Sequence, residues 1–149
     1  MSLLRLFLDT NIYILGAVNS TTSEGQILIW LEQLESSSQV ELVVSEELLD
    51  QVARVAKRLT NKDQAGRLIN RILKYPRIFY VSFNNDEIGF WLNQGTIPSE
   101  DVEIYLTAKT GDAQCFVSSN RKLIRTLVTE TKEFECLTPE EFIKKYLPS

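Results

Sequence analysis

The 149-residue chain contains no histidine. This removes Ser-His-Asp and Cys-His catalysis, a histidine general base and every histidine-ligated zinc or iron site. Any metal must be held by oxygen, which favours hard divalent ions such as magnesium or manganese. Cysteine is scarce too. Cys115 and Cys136 each lie in an apolar segment without metal-ligand spacing and read as reduced, buried thiols, with a disulfide between neighbouring strands as the alternative. No apolar run approaches the roughly 20 residues of a membrane helix. Met1 to Leu8 runs directly into Asp9 and is too short for a secretory signal, so a cytoplasmic protein without membrane association is expected.

The apolar and charged content is ordinary for a soluble domain, and the length suits one domain over residues 1–149 with a substantial core. No repeat or linker interrupts it. The net charge is -4, but its distribution is uneven. Between Arg54 and Arg77 lie half of the chain's 16 basic residues against a single acid, Asp63. An anionic partner on one side of an otherwise acidic molecule is expected.

Strands are predicted at the run ending Leu6-Phe7-Leu8, and at Val40–Val44, Ile78–Ser82, Cys115–Ser118 and Phe134–Leu137. Helices fall between most of them. One spans Ile12 to Val18; another starts at Ser23 and stops at the Ser36-Ser37-Ser38 turn. A third follows Ser45 with a Leu48, Val52, Ala56 stripe, and a fourth spans Asn61 to Tyr75 before Pro76. Asp86–Asn93 and Asp101–Lys109 are further helices. The last is capped by Thr138, with Pro139 at the first position and Glu141 completing a capping box. Strands alternating with helices predict an α/β fold with a parallel sheet covered on both faces.

Asp9 ends the first strand and is followed by Thr10 and Asn11. In an open α/β sheet, ligands sit outside the carboxyl ends of the strands, so this carboxylate points into a crevice suited to a metal or a phosphoryl group. The alternative is that Asp9 caps the helix after it. Asp101 opens a helix and Asn120 ends a strand; all three positions can converge on one sheet edge.

Phe7-Leu8-Asp9-Thr10-Asn11-Ile12, Val43-Val44-Ser45-Glu46-Glu47-Leu48-Leu49-Asp50-Gln51, Asp101 through Ala108, Ala113 to Asn120 and Leu137-Thr138-Pro139-Glu140-Glu141-Phe142 together resemble a PIN domain over nearly the whole chain. The resemblance is strongest to the branch of toxin components of toxin-antitoxin pairs. It implies a three-layer α/β/α sandwich with a central parallel sheet, and an acidic cluster that binds magnesium or manganese and hydrolyses RNA phosphodiesters. The catalytic positions are then Asp9, Gln51, Asp101 and Asn120. Thr10, Asn11 and Ser118 support them. Single-stranded RNA, an antitoxin protein and a second copy of the chain are the implied partners.

Two positions depart from the family pattern, because Gln51 and Asn120 stand where acids are usual. An amide keeps an oxygen but loses the negative charge and the capacity to act as a base. Asp9 and Asp101 are the expected metal ligands, joined by Asn120 and by Glu47, one helical turn before Gln51; Asp50, Glu103 and Asp112 are weaker candidates. A metal held this way is bound weakly. The candidate nucleic-acid contacts are Arg54, Lys57 and Arg58, then Arg67, Arg71 and Lys74, then Arg121, Lys122 and Arg125. The alternative to a ribonuclease is a catalytically inactive PIN fold serving as an RNA-binding or protein-interaction module, the latter with Phe90-Trp91 in an exposed apolar patch. An aspartate-nucleophile phosphatase is disfavoured, since Asn11 stands where its second acid belongs.

Overall fold

The computed structural model describes residues 3–35 and 37–148. Ser36 of the expected serine turn, and Met1 and Ser2 of the expected start, lie outside them. The chain runs through β1 (Leu4–Leu8), α1 (Thr10–Val18), α2 (Ser23–Gln33), β2 (Val40–Ser45), α3 (Glu46–Leu59) and α4 (Lys62–Leu73). It continues through β3 (Ile78–Val81), α5 (Asn85–Gln94), a 3-10 turn (Ser99–Asp101), α6 (Val102–Thr110), β4 (Cys115–Val117), α7 (Arg121–Glu130), β5 (Glu135–Leu137) and α8 (Pro139–Tyr146).

All strand pairings are parallel, in the order β3-β2-β1-β4-β5. Such a sheet needs cover on both faces, and its central strands accordingly read as continuous apolar runs. Leu6, Phe7 and Leu8 of β1, Leu42 to Val44 of β2 and Cys115 to Val117 of β4 are buried without alternation. The helices supply the covering layers of an α/β/α fold. α1 packs on α2 and α3, α3 on α4, α2 on α8, and α5 on α6. Leu48, Val52 and Ala56 of α3 and Ala65, Leu68 and Ile72 of α4 form the buried stripes.

Several boundaries move for local reasons. α1 starts at Thr10 instead of Ile12, because the Asp9 side chain already caps its first N–H. Asn61 is the cap of α4, and that helix ends at Leu73, two residues before Tyr75. Asp101 closes a 3-10 turn, leaving α6 to begin at Val102. The α8 capping box forms as expected: Thr138 N–H donates to Glu141 Oε1 at 2.9 Å, and Glu141 N–H to Thr138 Oγ1 at 3.2 Å.

The register settles the cysteines. Cys115 pairs with Glu135 and Phe116 with Cys136, so the two thiols project to opposite faces of the sheet and cannot bridge. Both are free; Cys115 is buried and Cys136 half-buried. Burial raises the Cys136 thiol to about 11 and the Cys115 thiol further. Among the described residues no helix is long and apolar enough to cross a membrane.

Candidate active site

The strand order changes direction between β1 and β4, since the chain first builds outward through β2 and β3 and then returns to add β4 and β5 on the other side. Such a switch opens a crevice at the carboxyl ends of the two strands. Leu8 and Val117 are register partners there, so Asp9 and Ser118 emerge side by side. The Asp9 N–H continues the ladder, donating to Val117 O at 2.9 Å.

Asp9 is 6% exposed and fully engaged. Its Oδ1 accepts from Thr10 N at 2.7 Å, while Oδ2 accepts from Ser118 Oγ at 2.7 Å and from Asn11 Nδ2 at 3.3 Å. The helix-cap alternative is realised by Oδ1, while Oδ2 is held at the β1–β4 edge by Ser118 and Asn11. Asn11 is itself fixed, its Oδ1 accepting from Ser119 N at 3.0 Å. Ser118 Oγ in turn accepts from Asn120 N at 3.0 Å. Desolvation outweighs these bonds, and the Asp9 pKa lies above its ordinary value.

Asp101 is half-buried at the start of α6, and its side chain does not cap the helix. Burial first, then the charges of Asp9 and Glu100, raise its pKa to about 6. The first and third expected acids are thus near enough for the Asp9 charge to act on Asp101. Gln51 joins them indirectly: Thr10 Oγ1 donates to its Oε1 at 2.9 Å. Asn120 is exposed at the start of α7, with its Oδ1 accepting from Leu123 N at 3.1 Å as the helix cap.

Other expected acids fall elsewhere. Glu47 does not join Asp9 and Asp101, and among the described residues no three acids or thiols gather as a metal-binding group. Its charge, with those of Glu46 and Asp50, acts on Tyr80 of the edge strand β3. Asp112 precedes β4, at the end of the sheet opposite Asp9, within 4.0 Å of Arg5. Glu103 is exposed on α6.

Two contacts were not foreseen in the sequence. Ser119 Oγ donates to Glu24 Oε2 at 2.7 Å, tying α2 to the β4 end across 95 residues. Ser45 and Thr107 hydroxyls meet at 2.7 Å in a fully buried pair that joins the end of β2 to α6. A lone acid in a first helical turn and two ordinary hydroxyls carry no local signal of such pairing.

Asp9 and Asp101 offer hard oxygen donors whose mutual repulsion a cation would relieve. Magnesium is commonly held by one or two carboxylates while keeping several waters, so this donor set fits such an ion. The Gln51 and Asn120 amide oxygens each accept one hydrogen bond, which leaves each a second lone pair but no charge to add. The basic candidates divide into three groups. Arg121, Lys122 and Arg125 lie on α7, which follows the β4 end, Arg54, Lys57 and Arg58 on the second half of α3, and Arg67 and Arg71 on α4 with Lys74 as its C-cap.

In fold the chain is similar to VapBC-1 from nontypeable Haemophilus influenzae, with a TM-score of 0.62 and 20% identity over 92% of this chain and 99% of that one. It is also similar to VapBC2 from Rickettsia felis bound to a DNA fragment from their promoter, with a TM-score of 0.58 and 19% identity over 91% and 98% of the two chains. No curated protein matches it by sequence. The family model described as PIN domain matches residues 5–122, most of the chain, and the chain belongs to the PIN domain family.

Proposed function

We propose that the chain is a metal-dependent endoribonuclease of toxin-antitoxin type whose acidic site has been weakened. One observation carries this: Asp9 follows β1 at the switch point of the sheet, its carboxylate fixed by Thr10, Asn11 and Ser118, and its charge reaches Asp101, 92 positions further on. Asp9 and Asp101 would hold the magnesium or manganese ion. When bound, it would supply Lewis-acid polarisation of the phosphate and a lowered pKa for the attacking water.

The remaining work belongs to the protein. Ser118 and Asn11 hold Asp9 Oδ2 in one orientation, and the Thr10 N–H holds Oδ1. Thr10 also tethers Gln51, so α3 is held against the same corner. Asp101, half-buried at the start of α6, is the second carboxylate of the pair. Arg121, Lys122 and Arg125 would meet phosphates of a single-stranded RNA next to the crevice.

A second reading is a PIN fold that binds RNA or protein without cutting. It is favoured by the two amides Gln51 and Asn120, which lack the negative charge and the base capacity of the acids usual at these positions. Partnership with an antitoxin is supported by fold likeness to the VapBC structures. Exposed Val18 and Leu59, beside a cavity of about 300 Å³ between α1, α3 and α4, are apolar surface that such a partner would cover. Phe90 is exposed, but Trp91 packs edge-on against Tyr105 and so contributes little to a patch. Free thiols accord with a reducing cytoplasm.

The test is cleavage of a labelled single-stranded RNA pool with manganese or magnesium, run beside Asp9→Asn and Asp101→Asn. Cleavage by the wild type that both variants lose supports the nuclease. Absence of cleavage, restored by Gln51→Glu with Asn120→Asp, identifies the non-cutting fold.

A further inference from the structure

The basic segment of α4 is organised as a wall of hydrogen-bond donors. Arg67, Asn70, Arg71 and Lys74 follow the i, i+3, i+4, i+7 spacing and therefore share one helix face, opposite the buried Ala65, Leu68 and Ile72. They line a cleft of about 520 Å³ with Glu32 of α2, and Tyr75 and Pro76 close it. Like charges one turn apart destabilise a helix, and Asp63, one turn before Arg67, makes no ion pair with it. Only Arg71 is compensated, by Glu32, which accepts from its Nε at 2.7 Å and from its Nη2 at 2.8 Å. Arg67 and Lys74 are exposed and have no ion-pair partner among the described residues.

Arginine and lysine donate but cannot accept, so a ligand that completes this wall must consist of acceptors and carry negative charge. We infer that the cleft between α2 and α4 is a phosphodiester-binding exosite, engaging nucleic-acid backbone through Arg67 and Lys74 while the Arg71–Glu32 pair holds the cleft open. The α4 end that bears it leads through Pro76 into the start of β3, whereas Asp9 follows the end of β1. The exosite and the carboxylate pair thus lie toward opposite ends of strands roughly 15 Å long. A bound strand would be anchored away from the carboxylates, without sequence readout. For its natural ligand this rests on the nucleic-acid reading proposed above; the site itself rests on the donor stripe and the cleft.

The experiment measures binding of fluorescein-labelled single-stranded RNA, and separately of a duplex DNA, to the full chain in EDTA across a salt series. Arg67→Glu with Lys74→Glu is compared with wild type and with Asp9→Asn/Asp101→Asn, and Arg67→Gln with Lys74→Gln is included in case the charge reversal disturbs folding. RNA affinity is expected to fall at least tenfold in the reversed variant. In the neutralised variant the salt slope is expected to shrink by about 1.4, for two lost contacts to a single strand. The aspartate pair, which only removes negative charge, should not weaken binding. Equal binding by the cleft variants overturns the exosite while leaving the RNA reading intact, and binding of neither nucleic acid overturns it as well. Duplex DNA bound alone, and lost in the cleft variants, upholds the exosite and removes RNA as its ligand.

Discussion

The Thr10 hydroxyl donates to the Gln51 side-chain oxygen at 2.9 Å, joining residues 41 apart at the corner that holds Asp9. A glutamate in place of Gln51 would accept the same bond and add a charge. Gln51→Glu combined with Asn120→Asp should therefore keep the fold and tighten manganese binding at least tenfold, a change of about 1.4 kcal/mol. Calorimetric titration checks this, and unchanged affinity would remove both positions from the ligand set.

Ser118→Ala deletes the short bond to Asp9 Oδ2. Because that bond lowers the Asp9 pKa against the effect of burial, its loss should raise the pKa further. A buried carboxylate deprived of a partner should also destabilise the fold by about 1–3 kcal/mol. Carbon-detected carboxyl titration and urea unfolding report the two effects separately. A stability loss without a pKa change would place the effect in packing alone.

Asp101 makes stability depend on pH in the direction opposite to a salt-bridged acid. Its pKa rises from the ordinary 3.8 to about 6 in the folded state, so the native protein holds the proton more tightly than the unfolded chain. The stabilising contribution is complete below 3.8 and is lost as pH climbs through 6. Since the side chain is half-exposed, solvent screening reduces the cost to about 1 kcal/mol. Asp101→Asn should flatten the unfolding free energy over this window, and magnesium should restore stability to the wild type above it. Thermal unfolding across a pH series would disprove this if wild type and variant ran parallel.

Two glycines should respond oppositely to alanine. A Cβ on Gly111 would collide with the Val43 side chain where α6 ends over β2, so Gly111→Ala should cost about 1–3 kcal/mol. A Cβ on Gly66 meets nothing within 4 Å on the exposed face of α4, so Gly66→Ala should stabilise by up to about 1 kcal/mol. Denaturant midpoints for the pair provide the comparison.

The parts of the fold legible in the sequence are those governed by short-range physics. Apolar runs without alternation announced the central strands, and the stripe at Leu48, Val52 and Ala56 announced α3. Thr138-Pro139 with Glu141 marked α8 to the residue. The boundaries that moved, at Asp9–Thr10 and at Asp101, depend on whether a side chain caps a helix, which residue type alone does not decide.

By itself the sequence determined the chemical repertoire: no imidazole, two carboxylates with oxygen-only partners, and amides where two acids are usual in the family. It also determined the alternating pattern that makes a parallel sheet the economical way to bury these runs. Only the tertiary structure decided which groups act together. The reversal of strand order set Asp9 beside Ser118, the packing of α3 gave Gln51 to Thr10, and Arg71 found Glu32 on another helix. The reason is physical. Periodicity is set by neighbours one turn or one pleat away, whereas the partner of a buried polar atom is whichever group the folded chain brings within hydrogen-bond distance, however far away it lies in the sequence.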